Sequence, residues 1–156
     1  MPRDYTVTFE KVSASAVQDL FQIIGASGKM LRIVSFEIND VDTTAPTDQQ
    51  LALRSRFLPA TVTNGSGGSA PTPQKTDPGD AAASFTAKAN STTQATTNST
   101  AVVVWEGGCN VKAGIAVVFP FWFAVGPSES GTVELITAPA TTLTLSGTVT
   151  VREIGG

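Results

Sequence analysis

The sequence predicts an all-β fold, a two-sheet β-sandwich that is jelly-roll-like and carries long Gly/Ser/Thr/Pro-rich loops. Three observations predict it. Apolar residues recur with a period of two at both ends of the chain, the spacing that puts every second side chain on one face of a strand. Most of the other apolar runs are short, rich in β-branched and aromatic residues, and punctuated by Gly, Pro, Asn or Asp. Some seven to nine such segments occur with no convincing helix between them, which favours two packed sheets.

Taken in order, Tyr5, Val7 and Phe9 alternate with Thr6, Thr8 and Glu10, as in a half-buried strand. Residues 17–24 are ambiguous. Val17, Leu20, Phe21 and Ile24 follow the spacing of a helix face, with Ser15 and Gly25 as possible caps. Residues 20–24 followed by Gly25-Ala26-Ser27-Gly28 and a further strand also read as a hairpin, and the strong neighbouring alternation favours that reading. Further strands are expected at 30–39, 50–58, 101–106, 115–124 and 132–137. The clearest lies at the end: Leu143, Leu145, Val149 and Val151 alternate with Thr144, Ser146, Thr148 and Thr150, with Gly147 a bulge or a point of close approach.

Two stretches differ in texture. Residues 61–83 are rich in Gly, Ser, Pro and Thr and hold the turn signal Asp77-Pro78-Gly79-Asp80; residues 90–100 are a polar Thr/Asn/Ser run. Loops of this length are uncommon inside a compact domain. Each is either a surface loop or an extended arm that orders against a neighbouring subunit. Neither side alone carries enough strands for a core, so residues 1–156 read as one domain. On the arm reading, deletion of residues 65–76 should spare folding and weaken attachment.

Charge is sparse: Asp, Glu, Lys and Arg make up 15% of the 156 residues, against about 25% in an average protein. Such a surface repels neighbours weakly and is dehydrated at low cost. The net charge of −3, without a basic run, argues against direct nucleic-acid binding. The opening residues lack a signal-peptide core. The longest apolar run, 115–125, is too short for a membrane helix and is interrupted by Pro120. The expectation is synthesis in the cytoplasm and no membrane contact.

Histidine is absent, which removes the commonest general base and imidazole metal ligands. The lone Cys109 can form neither an intrachain disulfide nor a thiolate-rich zinc site; it sits in Gly107-Gly108-Cys109-Asn110, which reads as a turn. Asp40 and Asp42, and Asp77 and Asp80, read as turn residues before they read as a calcium site. Among Glu10, Glu37, Glu106 and Glu134 nothing selects a catalytic pair. Gly25-Ala26-Ser27-Gly28-Lys29-Met30 lacks both the spacing and the hydroxyl of a phosphate loop. The chain is expected not to be an enzyme, with no catalytic residue, cofactor or metal site.

Phe119-Pro120-Phe121-Trp122-Phe123 is the densest aromatic cluster. On a strand, Phe119, Phe121 and Phe123 share one face and Trp122 takes the other, while Pro120 marks an edge or bulge. Core packing is the leading account; a subunit interface anchored by Trp122 and a carbohydrate-stacking platform are the alternatives. The candidate interface residues are Trp122 and Phe121, with Gly67, Gly68, Pro71 and Pro73 from the long loop.

Three pieces of the chain carry a family resemblance. The first is Tyr5-Thr6-Val7-Thr8-Phe9, followed by Asp19-Leu20-Phe21-Gln22-Ile23-Ile24, a Gly/Ser turn and Leu31-Arg32-Ile33-Val34-Ser35-Phe36-Glu37-Ile38. The second is the Gly/Ser/Pro-rich insertion ending in Asp77-Pro78-Gly79-Asp80-Ala81-Ala82, and the third is the terminal Thr/Val strand 143–153. Together they resemble small tailed-bacteriophage virion structural proteins of the capsid decoration, or cement, type. The resemblance implies a protein of the virion, on the capsid surface. It would bind the major capsid protein, stabilise contacts between capsid subunits, and associate with itself as a homotrimer. A tail or baseplate component, or a carbohydrate-binding β-sandwich module using Trp105 or Trp122, are the competing expectations.

Overall fold

The computed structural model describes residues 1–155. The strands are β1 (Arg3–Ala14), β2 (Gln18–Ile24), β3 (Met30–Asp40), β4 (Gln50–Leu58), β5 (Val62–Thr63), β6 (Gln74–Lys75), β7 (Thr86–Ser91), β8 (Thr96–Thr97), β9 (Val102–Asn110), β10 (Ile115–Val125), β11 (Ser130–Leu135) and β12 (Leu143–Ile154). There is no helix among the described residues. Two five-stranded antiparallel sheets, in the orders β10-β3-β12-β1-β6 and β7-β2-β11-β4-β9, pack face to face.

The pairing is nested: β1 pairs with β12, β2 with β11, β3 with β10, and β4 with β9. The chain is thus one long hairpin rolled into a sandwich, the jelly-roll arrangement. Between its long strands it crosses from one sheet to the other at every step, β4 to β9 excepted. That exception is the tip of the hairpin, residues 59–101, which contributes β5 to β8.

The crossing corrects one expectation. Residues 18–24 do form a strand, but β2 and β3 lie in opposite sheets and are not a hairpin. A turn signal specifies a reversal, not the sheet in which the chain returns. Here the connection after β2 packs on the one after β10, with Gly25 N donating to Glu129 O at 2.9 Å. A Cβ on Gly25 would lie 1.8 Å from Gly126 O, so only glycine fits.

The core is built from one face of each sheet: Tyr5, Val7 and Phe9 meet Phe21, Ile23, Val133 and Leu135 among others. β12 alternates strictly between buried and half-buried residues along its length. Gly147 is a close approach, because a Cβ there would come within 2.7 Å of Ile38 and 2.9 Å of Phe9. Where the period of two breaks, the ladder bulges: Glu10 and Lys11 are unmatched between Phe9 and Val12, and Lys11 takes a φ of 51°. Cys109 lies within β9, half-buried, rather than in a turn. Gly107 allows this continuation, since the Trp105 ring covers the space a Cβ would need.

The 59–101 insertion is not an extended arm. β6 adds to the free side of β1 and β7 to the free side of β2. The remainder folds over the outer face of the second sheet, closed by the β5–β8 ribbon and by bridges Ser66–Thr93 and Ser69–Ala89. The polar Thr/Asn/Ser run is part of this cover.

Candidate functional site

β10 and β9 are the edge strands on the same side of the sandwich, and their outer backbone edges pair with nothing among the described residues. β10 pairs with β3 regularly up to Val118–Ser35 and again from Phe123–Ile33. Phe119 to Trp122 therefore stand opposite Val34 alone, a wide bulge. Pro120, which has no N–H to donate, sits inside it, at an edge and a bulge together.

The bulge sorts the aromatic cluster differently from a plain strand. Phe119 and Phe123 enter the core, their rings 5.3 Å apart, and Phe119 also meets Phe36. Phe121 does not follow them. It packs on the rim against Phe119 and is 39% exposed, because the extra residues rotate it off the core face. Trp122 is 58% exposed and Val118 71%. With Val102 of β9, Trp122 and Phe121 make an exposed apolar patch, and together with Phe57 and Val104 they border a groove of about 230 Å³ there; Val118 lies apart from it, beside Ser35 and Thr150. Exposed apolar side chains clustered in this way mark interaction sites. Trp105 is not part of the patch; its ring packs edge-on against Phe36, 5.4 Å away.

Beside the patch, the Arg32 guanidinium lies 4.7 Å from the Trp122 ring centre, a cation–π contact. Arg32 stands directly opposite Arg152 in the β3–β12 ladder. Asp4 grips Arg152 through two hydrogen bonds, at 2.7 and 2.9 Å. These bonds hold the Asp4 carboxyl below its ordinary pKa and raise that of Arg152. Arg32 has no carboxylate partner among the described residues, and its Nε is buried without an acceptor.

The other nominated residues lie elsewhere. Gly67 and Gly68 belong to the folded-back cover: a Cβ on Gly68 would lie 2.1 Å from Ala89 O, and one on Gly67, at φ +83°, 2.2 Å from Thr92 Oγ1. Both glycines serve close packing within the chain. Pro71 and Pro73 line a separate groove with Phe85 at the β6–β7 edge, across the sandwich from Trp122. Of the six nominated residues, Trp122 and Phe121 alone stand at the β9–β10 edge.

Under the cover lies a polar cluster that strand patterning alone does not reveal. Glu134 of β11 accepts from Arg54 Nε at 2.6 Å and from Arg56, both on β4. Asp19 of β2 accepts from Ala95 N at 2.7 Å and from Gln94 Nε2. Gln22 donates to Asn64 at 2.8 Å and to Ser130. Burial, reinforced by the neighbouring Glu134 charge, pushes the Asp19 pKa up to about 7, although the Ala95 N–H opposes it. Every oxygen of the two carboxylates has a donor, and the pair is closed off from solvent. The signal for it was Arg54 and Arg56 two apart on a strand that opens with alternating Leu51 and Leu53, with Asp19 and Glu134 inside otherwise strand-like runs.

Comparison with protein-family models, curated proteins and solved structures gives no match for this chain. The physical features of the edge therefore carry the functional argument.

Proposed function

We propose that the protein is a virion structural protein, a capsid decoration protein that attaches to the major capsid protein through its β9–β10 edge. The supporting observation is the exposed Trp122–Phe121 patch on a sandwich edge whose backbone is free to accept a partner. A Trp held in a structured bulge anchors an interface at low entropic cost, and the chain's low overall share of charged residues makes its surface easy to dehydrate. Repetition on a shell multiplies weak individual contacts, so a patch of this size suffices. Self-association as a homotrimer, and the virion as the site of action, belong to the same proposal, as does a tail or baseplate location as its close variant.

The test is cosedimentation with capsids purified from the encoding phage, followed by thermal melting of the particles. Stoichiometric binding, a raised melting temperature and loss of both in Trp122→Ala are expected. Absence of binding by the wild-type chain overturns the proposal, and labelled protein found at the tail alone moves it to the tail variant. The exposed ring of Trp122 also favours a second reading, a carbohydrate-binding module. Binding to a glycan array through Trp122, with none to capsids, would select that reading.

A further inference from the structure

We infer that the β9–β10 edge receives an extended segment of the partner protein in which a carboxylate lies next to an apolar side chain, with Arg32 taking the carboxylate. The inference rests on the reading of this edge as the attachment surface and adds the chemistry of what attaches. Three features carry it. The outer edge of β10 is an open ladder, regular over Ile115 to Val118, which an extended chain can join by strand addition. Next to it, Trp122, Phe121 and Val102 offer an apolar groove of about 230 Å³, the size of one or two side chains. The third feature is charge.

Arg32 and Arg152 are cross-strand neighbours of like sign, a costly arrangement unless it is neutralised. Asp4 neutralises only Arg152. The Arg32 side chain sits opposite Ala124, a small residue on that face of β10, and its guanidinium reaches Trp122 on the same strand. A cation stacked on a ring at the rim, without a carboxylate partner among the described residues, is preorganised for an incoming carboxylate. A basic or neutral segment would leave it uncompensated.

Two blocked peptides of alternating leucine and threonine test this, one with a central aspartate and one with asparagine in its place, titrated against the folded chain by tryptophan fluorescence. The aspartate peptide is expected to bind on the order of tenfold tighter at low salt, and added salt should narrow the gap. Arg32→Gln should equalise the two peptides, Arg32→Lys should keep part of the preference, and Trp122→Ala should weaken both. Equal affinity of the two peptides for the wild type, no binding of either, or a preference that survives Arg32→Gln overturns the inference. So does a salt-sensitive dimer of the wild type alone that Arg32→Gln abolishes, since the occupant would then be a second copy. If Arg32→Gln cosediments with capsids as well as the wild type does, the inference fails while the attachment reading stands. If the wild type does not cosediment at all, that reading fails first.

Discussion

Asp19 and Glu134 share one side-chain amide: Gln94 Nε2 lies 3.2 Å from Asp19 Oδ1 and 3.2 Å from Glu134 Oε1. Gln94 belongs to the cover and the two carboxylates to the sheet beneath it, so this contact and the Ala95–Asp19 bond pin the cover down. The charges facing Asp19 from the packed strands are Glu134, Arg54 and Arg56. Two Arg against two carboxylates balance formally, yet both Arg bind Glu134 and Asp19 is left with neutral donors. That asymmetry, on top of burial, leaves its carboxylate form under-compensated and its pKa raised.

The sign of the pH dependence follows. Asp19 titrates at about 7 in the folded chain, above its ordinary value of 3.8, so the folded state holds the proton more tightly. Its contribution to stability is fully present below about pH 4, declines as pH rises, and is lost above 7. Urea midpoints should therefore fall between pH 5 and pH 8. Asp19→Asn, which mimics the protonated form, should flatten the curve and exceed the wild type at pH 8. An unchanged slope in the variant would place the titrating group elsewhere. Asp4 acts with the opposite sign, lost only as pH falls through its depressed pKa, and is a weaker term because it is partly exposed.

Replacing Glu134 by Gln strands two guanidinium groups under the cover. The expected loss is about 2–3 kcal/mol, below the figure for a fully buried pair because Arg54 and Arg56 retain some solvent contact. Chemical denaturation measures it. Hydrogen exchange at Ala95 should quicken more than exchange in β12, since the loss is local to the cover.

Deleting residues 65–76 would remove β6 and the Gly65 N–H that donates to Gln22 Oε1. It would also expose the buried polar face. The arm reading expected such a deletion to spare folding; the folded-back cover predicts a clear drop in melting temperature and faster proteolysis between β4 and β9. A deletion variant melting with the wild type would contradict this placement.

Cys109 is half-buried, and burial raises its thiol pKa above the ordinary value. It should react slowly with disulfide reagents at pH 7 in the native state, and at the rate of a free thiol once unfolded. Equal rates would show that β9 frays at Cys109.

Much of this architecture was legible because a strand's period is local. Tyr5-Val7-Phe9 and Leu143–Val151 announce which side chains face the core. Pro120 likewise foretold an edge, because a residue without an N–H is excluded from a central ladder anywhere. The sequence by itself determined the all-β class, the strands β1 to β4 and β9 to β12, and the identity of the aromatic cluster, but not β5 to β8 within the insertion. Only the tertiary structure decided that β2 and β3 part company into different sheets, that Gly68 presses on the chain's own β7 and Gly67 on Thr92 just beyond it, and that Phe121 turns outward with Trp122. It also brought together Asp19, Arg54, Gln94 and Glu134, and set Arg32 against Trp122. Alternation fixes the face on which a side chain emerges, but its neighbours depend on strand order and on where an insertion folds, which are settled by packing between residues far apart in the chain.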